Sequence, residues 1–599
     1  MEAQAPLMRS TLLLDRFGDV VLTLDSDGLA WAPVAPPGNK SEKCLGLIFS
    51  SKYQTDIKFL DTYAVEFIDW GPIHELIYNI GAPLPCHQTE MYRFVVHGFQ
   101  KSRGHRSMWV LASYTFGHRH LQTCQTWFEQ INNRLNMEAS RPKNLWIFVH
   151  PLSGKGNGRK TWQTVAPIFS RAKVKTKVTV TERAGHAYDL VNSITDEELS
   201  SLDGIVAVGG DGFFSEILNG LLLSRHNAPY PPVPVEFMHS VGSDGENENS
   251  RINCENKSTA STHSDGSLPG VSYKNEDVPL LSASESSIPR LSNYRKDAEG
   301  YNADQDLASF FPNERFRLGI IPAGSTDAIV ISTTGARDPV TSALHIILGK
   351  KIRVDISQVV RWEDSVSSSV RYAASFAGYG FYGDVIKESE KYRWMGPKRY
   401  DYAGTRVFLE HRSYEAEVAF LEDTSSRSAA GASFRENVPQ QVEILGDKPP
   451  KTICRVNCAS CKETTSPAYL LTSCDSDLRW LRSKGRFLSV GAAVISCRNG
   501  RAPDGLVADA HLADGFLHLI LIKDCPRPLY LWHLTKLTRK GSNPLDFAFV
   551  ERHKTQAFTF ISSGKESVWN LDGELFQARK LSVQVFQGLV SLFAAGPED

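Results

Sequence analysis

The feature that most restricts this chain is a rhythm met three times: a short apolar run stops at a glycine turn and restarts as helix. The runs are NLWIFVH followed by PLSGKGNG, GIVAVGG followed by DGFFSEILNG, and LGIIPAG followed by STDAI. Alternation of buried strand, loop and helix predicts a mostly parallel sheet, and in such sheets ligands gather at the carboxyl ends of the strands. Glycines at these turns let a ligand approach the backbone, and the amides that open a helix suit phosphate.

Each turn has its own chemistry. The first carries His150, Pro151, Leu152, Ser153, Gly154, Lys155 and Gly156. Basic residues follow it through Lys177 with no acid between Lys155 and Lys177. Its spacing is not that of a Walker loop, and taken alone it reads equally as a plain glycine turn. The second places Asp211 among Gly209, Gly210 and Gly212, where a carboxylate can accept a hydroxyl proton or hold magnesium. Glu216 lies about one helical turn on, on the same side. The third puts Gly324, Ser325 and Thr326 at an expected helix start.

The rest of the chain divides around this core. Residues 1–140 show alternating runs (Val20–Leu24, Leu45–Phe49, Tyr63–Phe67, Tyr92–His97) and then a helical pattern at Leu121, Cys124, Trp127, Phe128, Ile131 and Leu135. Strands closed by one Trp-bearing helix look like a pleckstrin-homology module that binds membranes. A β-rich docking module without lipid affinity would read the same way. Residues 141–350 form the α/β lobe, interrupted at 240–309 by a polar stretch in which acids outnumber bases; it reads as a disordered insertion. Residues 351–599 are dominated by strand-like runs and suggest a β-rich second lobe.

The 599 residues balance 66 basic against 67 acidic side chains, so no global field draws the chain to nucleic acid. Ten cysteines are too sparse for a secreted disulfide framework, and no apolar run is long enough to cross a bilayer. With no basic start or cleavage site in MEAQAPLMRS, a cytoplasmic protein peripheral on membranes is expected.

With GGDGFFSEILNG and PAGSTDA on the page, the chain resembles the catalytic domain shared by diacylglycerol, sphingosine and ceramide kinases, over about Leu145 to Leu581 without the insertion. Within that family it is most similar to the ceramide kinases of plants. NAD kinases are similar at GGDG but follow it with Thr where this chain has Phe213. The resemblance implies ATP with magnesium as cofactors, calcium as an activator although no EF-hand pattern occurs, and a lipid substrate in a membrane. It implies nucleotide contacts at residues 150–156, with His150 departing from the family's Asn. It implies further contacts at Thr181, Glu182, Arg183, Ala184 and Gly185, at Glu216, at Gly324, Ser325 and Thr326, and at Arg393 and Arg399. Asp211 matches the general base. Asp572, Gly573 and Glu574 match an acidic motif that returns to close on magnesium-ATP.

Substrate contacts are expected at Gly209, Gly210, Asp211, Gly212, Asp384 and Ile386. Where sphingosine kinases carry a second acid, this chain has Ile386, which cannot pair with a cationic amine; ceramide offers no such charge. Cys454, Cys458 and Cys461, with Cys474 near enough to join, resemble the ceramide-kinase cysteine cluster. They suit either a structural zinc or redox-sensitive thiols. His186 and His345 are expected to be packing residues rather than catalysts. The expected activity is phosphorylation of the primary hydroxyl of ceramide. A sphingosine or diacylglycerol kinase and a non-catalytic lipid-binding adaptor remain as alternatives.

Overall fold

The computed structural model describes residues 6–34, 55–75, 87–239, 311–362, 369–422, 479–564 and 566–597. The expected strand Leu45–Phe49, the insertion at 240–309 and the four clustered cysteines lie outside them.

The N-terminal module is a seven-stranded antiparallel sheet. Its order is Asp56–Lys58, Gly28–Pro33, Gly18–Leu24, Met8–Leu14, Trp109–His118, His87–Lys101, Thr62–Glu75. One helix, Leu121–Met137, lies against it. Cys124, Trp127, Ile131 and Leu135 recur at helical spacing and are buried, with the Trp127 ring parallel to Phe94 at 6.4 Å. Phe128 stays at the margin, edge-on to Phe67 and beneath the Lys173 ammonium.

The next lobe is built on four parallel strands in the order Lys175–Val180, Asn144–Val149, Gly204–Gly209, Arg317–Pro322. The last two are buried along their whole length, as expected of parallel strands covered on both faces. Helices follow them, including Gly158–Arg171, His186–Asn192, Asp211–Arg225, Ala328–Thr334 and Pro339–Ile347.

The final strand, Lys580–Leu592, joins this sheet to the β-rich lobe. It runs parallel to Arg317–Pro322 at Leu592 and antiparallel to Ile352–Arg361 and Ala557–Ser563. Helices Phe381–Glu390, Lys398–Glu410 and Arg527–Leu537 pack on the outside of that lobe.

The N-terminal module shares a core with the α/β lobe: Tyr63, Phe99 and Trp109 cluster with Val165, Phe169 and Leu344. Glu66 accepts from Arg171 (3.3 Å), the last residue of the helix that begins in the first glycine turn. The His345 imidazole is buried edge-on to Trp109 at 4.1 Å, and neither ring nitrogen has a hydrogen-bond partner. Burial pushes its pKa down to about 3, so it packs as a neutral ring.

Candidate active site

The three glycine turns meet at one edge of the parallel sheet, and the lack of side chains is what lets them meet. A Cβ on Gly324 would lie 2.4 Å from the Gly210 Cα, and one on Gly154 would lie 2.2 Å from the Ala323 carbonyl oxygen. Gly154 also has φ +55°, a left-handed conformation that glycine adopts without strain. Backbone bonds hold the register: His150 N donates to Val208 O, Ala323 N to Gly209 O and Thr181 N to Val149 O. The Thr181–Gly185 turn therefore stands beside the first, and its Glu182 amide donates to His186 Nδ1, giving that histidine a positioning role.

Asp211 opens the helix Asp211–Arg225, half-buried. Its Oδ2 accepts from the Ala328 amide (2.8 Å) and its Oδ1 from the Ile329 amide (2.9 Å). The anion that this helix start holds is thus the protein's own carboxylate, and Ser325 and Thr326 stand in the turn before the helix rather than at its start. The helix begins at Ala328. Asp327 precedes it at φ +54° and turns its side chain back to the Gly324 amide (3.0 Å), while Arg337 Nε donates to its other oxygen (2.7 Å). Burial first, then the neighbouring Asp327 charge, push the Asp211 pKa up to about 7 against the lowering effect of the two amides.

Glu216 is buried at 1% exposure, and its Oε1 accepts from the Ala187 (2.9 Å) and Tyr188 (3.1 Å) amides, while Oε2 has no partner. It caps the helix after the Thr181–Gly185 turn, and burial pushes its pKa up to about 8.

Asp572 Oδ2 accepts from the Ala374 amide (2.7 Å), and its Oδ1 from the Ser375 amide, the Ser375 hydroxyl and the Phe376 amide (2.9, 2.5 and 3.0 Å). That carboxylate ties the returning strand to the β-rich lobe. Gly573, at φ +95°, has open space around its missing side chain. Glu574 does reach the second turn, since a Cβ on Gly212 would lie 2.6 Å from its Oε1.

The remaining predicted residues fall in two places. Arg393 lies near enough to His150 to help push that imidazole's pKa down to about 4, after burial as the main cause. Glu390 joins both arginines, taking the Arg393 Nε at 2.6 Å and standing 3.4 Å from Arg399 Nη1. Asp384 is held further off, accepting from Tyr414 Oη (2.5 Å) and Ser567 Oγ (2.7 Å). It forms a polar wall of a pocket otherwise lined by Phe381, Val407, Phe408, Leu488 and Tyr530, with His411 and Arg412 at its side. Ile386 is two positions on in the same helix, about 200° around, and does not line that pocket.

A nucleoside triphosphate fits the first turn. It is glycine-lined, open around Gly156, flanked by Arg393, and holds no internal carboxylate among the described residues. A protein-held metal fits less well. Among the described residues no three His, Cys, Asp or Glu side chains converge, Asp572 is bonded to backbone amides through both oxygens, and Glu216 has only its buried Oε2 without a partner.

Residues 144–235 match the diacylglycerol kinase catalytic domain family, and residues 452–599 match the ceramide kinase C-terminal domain. The chain is 54% identical to a ceramide kinase of Oryza sativa subsp. japonica, covering 98% of this chain and 99% of that protein. It is 53% identical to a ceramide kinase of Arabidopsis thaliana (98% and 95%) and 32% identical to one of Homo sapiens (85% and 83%). The chain belongs to the ceramide kinase family. It is therefore an enzyme with a lipid-kinase catalytic domain. For this ceramide kinase family member, sequence reasoning passed over Asp327, Arg337, Ser375, Tyr414 and Ser567, the side chains that hold the named residues in place. Only Asp327 left a local signal, as an acid beside an expected helix start.

Proposed function

We propose that this chain transfers the γ-phosphoryl group of ATP to the primary hydroxyl of ceramide. The observation that carries the reading is Asp211. It is half-buried at the edge where three glycine turns meet, with each oxygen taking one amide and a pKa raised to about 7. A carboxylate accepts on more than one lone pair per oxygen, so Asp211 can still receive a hydroxyl proton. The first-turn amides and Arg393, with Arg399 behind it, hold and neutralise the phosphates. Phosphoryl transfer asks mainly for such positioning and charge stabilisation.

The finer parts of the reading rest on family resemblance: magnesium accompanying the nucleotide, calcium as activator, zinc or free thiols at Cys454, Cys458, Cys461 and Cys474, and a pleckstrin-homology-like N-terminal module that brings a cytoplasmic enzyme to the membrane.

The test is labelled ATP against ceramide, sphingosine and diacylglycerol in mixed micelles, beside Asp211→Asn. Label should enter ceramide, with kcat/KM rising with pH through about 7 as Asp211 ionises. The variant should lose about 10²–10⁴ in kcat. Its melting temperature should fall only by the equivalent of a weakened helix cap, about 1 kcal/mol. Label mainly in another lipid would overturn the substrate; a fully active variant would remove Asp211 from the base role.

A further inference from the structure

The helix Arg527–Leu537 is built inside out for a water-facing element. Only Tyr530 and His533 are buried in it, whereas Leu529, Leu531 and Trp532 are 40%, 50% and 57% exposed. Leu531 and Trp532 lie opposite the buried Tyr530 and His533 and form the outward face, with the less exposed Leu529 at its edge. From Cys525 to Leu545 the chain has no acid and carries Arg527, Lys536, Arg539 and Lys540. The Lys536 ammonium lies over the Trp532 and Phe547 rings, and Asp504, an acid reaching this segment from another loop, accepts the Gly541 amide. Large apolar side chains beside cations are what a helix lying in the interface of an anionic bilayer presents.

Its place in the fold gives that face a use. Tyr530, between Leu529 and Leu531, turns inward to form one wall of the Asp384 pocket, packing on Phe381 at 5.4 Å and Phe408 at 6.2 Å. Leu409, next to the lining residue Phe408, is also exposed, at 63%.

We infer that the outward face of the Arg527–Leu537 helix docks on an anionic lipid bilayer, bringing the lobe that carries Asp384 against the leaflet that holds the lipid substrate. The inference builds on the lipid-kinase reading above and adds a second membrane contact, separate from the N-terminal module.

The experiment uses the full chain with phosphatidylcholine vesicles, with and without phosphatidylserine, and a short-chain ceramide dispersed in detergent. Leu531→Ser/Trp532→Ser should weaken partition onto mixed vesicles by about ten-fold or more. Arg539→Glu/Lys540→Glu, which removes no apolar contact, should abolish most of the gain due to phosphatidylserine. Both variants should phosphorylate the short-chain substrate at the parent rate. Unchanged partition in both variants would overturn the inference and leave the face to a protein partner. Loss of short-chain turnover in step with partition would overturn it too, because the face would then be structural. A parent enzyme that binds vesicles through this face but phosphorylates no lipid would instead sink the kinase reading alone.

Discussion

Replacing Glu216 by Gln separates a buried brace from a ligand to the nucleotide. In the brace role, Oε1 holds the Ala187 and Tyr188 amides and Oε2 is buried without a partner. Burial raises the Glu216 pKa from 4.5 to about 8. The folded state therefore retains a proton that the unfolded chain releases above about pH 4.5. Its contribution to stability is fully present below that pH and is lost as pH rises through about 8. At about 1.4 kcal/mol per pKa unit, the swing is on the order of 5 kcal/mol as an upper bound. Glutamine keeps the carbonyl acceptor and never ionises. Glu216→Gln should therefore match the parent at pH 5 and become progressively more stable relative to it towards pH 9. Glu216→Ala strands two buried amides, at about 1–3 kcal/mol each, and should melt well below the parent at every pH. The assay is the melting temperature of parent and variants from pH 5 to 9, with kcat and the KM for ATP measured at pH 7.5. A Gln variant with parent-like stability curves but a KM for ATP raised ten-fold or more would refute the reasoning and restore Glu216 as a nucleotide contact.

Three other outcomes follow from the geometry. Gly324→Ala presses a methyl group onto the Gly210 backbone at 2.4 Å, so it should cost about 1–3 kcal/mol and raise the KM for ATP by forcing two turns apart, read by unfolding and initial rates. Asp572→Asn keeps a residue type that tolerates φ +50° but removes the charge from four bonds; it should lower stability by about 1–3 kcal/mol, and an unchanged melting temperature would contradict the locking role. Ile386→Asp should leave sphingosine turnover within about two-fold of the parent, because position 386 is about 200° around the helix from Asp384; a clear gain would show that this side chain reaches the lipid headgroup.

The local parts of this architecture were readable from residues alone. Apolar runs ending in glycine marked three of the four parallel strands and their turns, and the spacing from Cys124 to Leu135 marked the buried face of the N-terminal helix. What the side chains do at the site was less readable, because their partners are remote in sequence. Asp211 takes amides 117 and 118 residues away, and Asp572 takes amides 196 to 198 away. Composition and spacing carry no trace of such pairs. The spacing puts Glu216 on the helix that Asp211 opens, yet its burial depends on where a neighbouring helix packs. Asp327 could have been noticed as an acid beside a helix start, but not its turn back to Gly324 or its link to Arg337.

These long-range bonds explain how Asp211 can be a structural cap and a proton acceptor at once. The two amides that open the third helix favour the ionised carboxylate and lower its pKa. Burial and the charges of Asp327 and Asp572 oppose them, and the balance leaves the group near 7 rather than at either extreme. Without the amides, a carboxyl in this setting would stay protonated at neutral pH and could take no proton from a hydroxyl. Without the burial and the neighbouring acids, it would be too weak a base to help a hydroxyl lose its proton. Asp327 is itself restrained by Arg337 and the Gly324 amide, so the third turn fixes both the position of the proposed base, Asp211, and its pKa. Loosening that turn by substituting Arg337 should therefore move the pH midpoint of kcat/KM as well as its height, whereas a purely positional role would change the height alone.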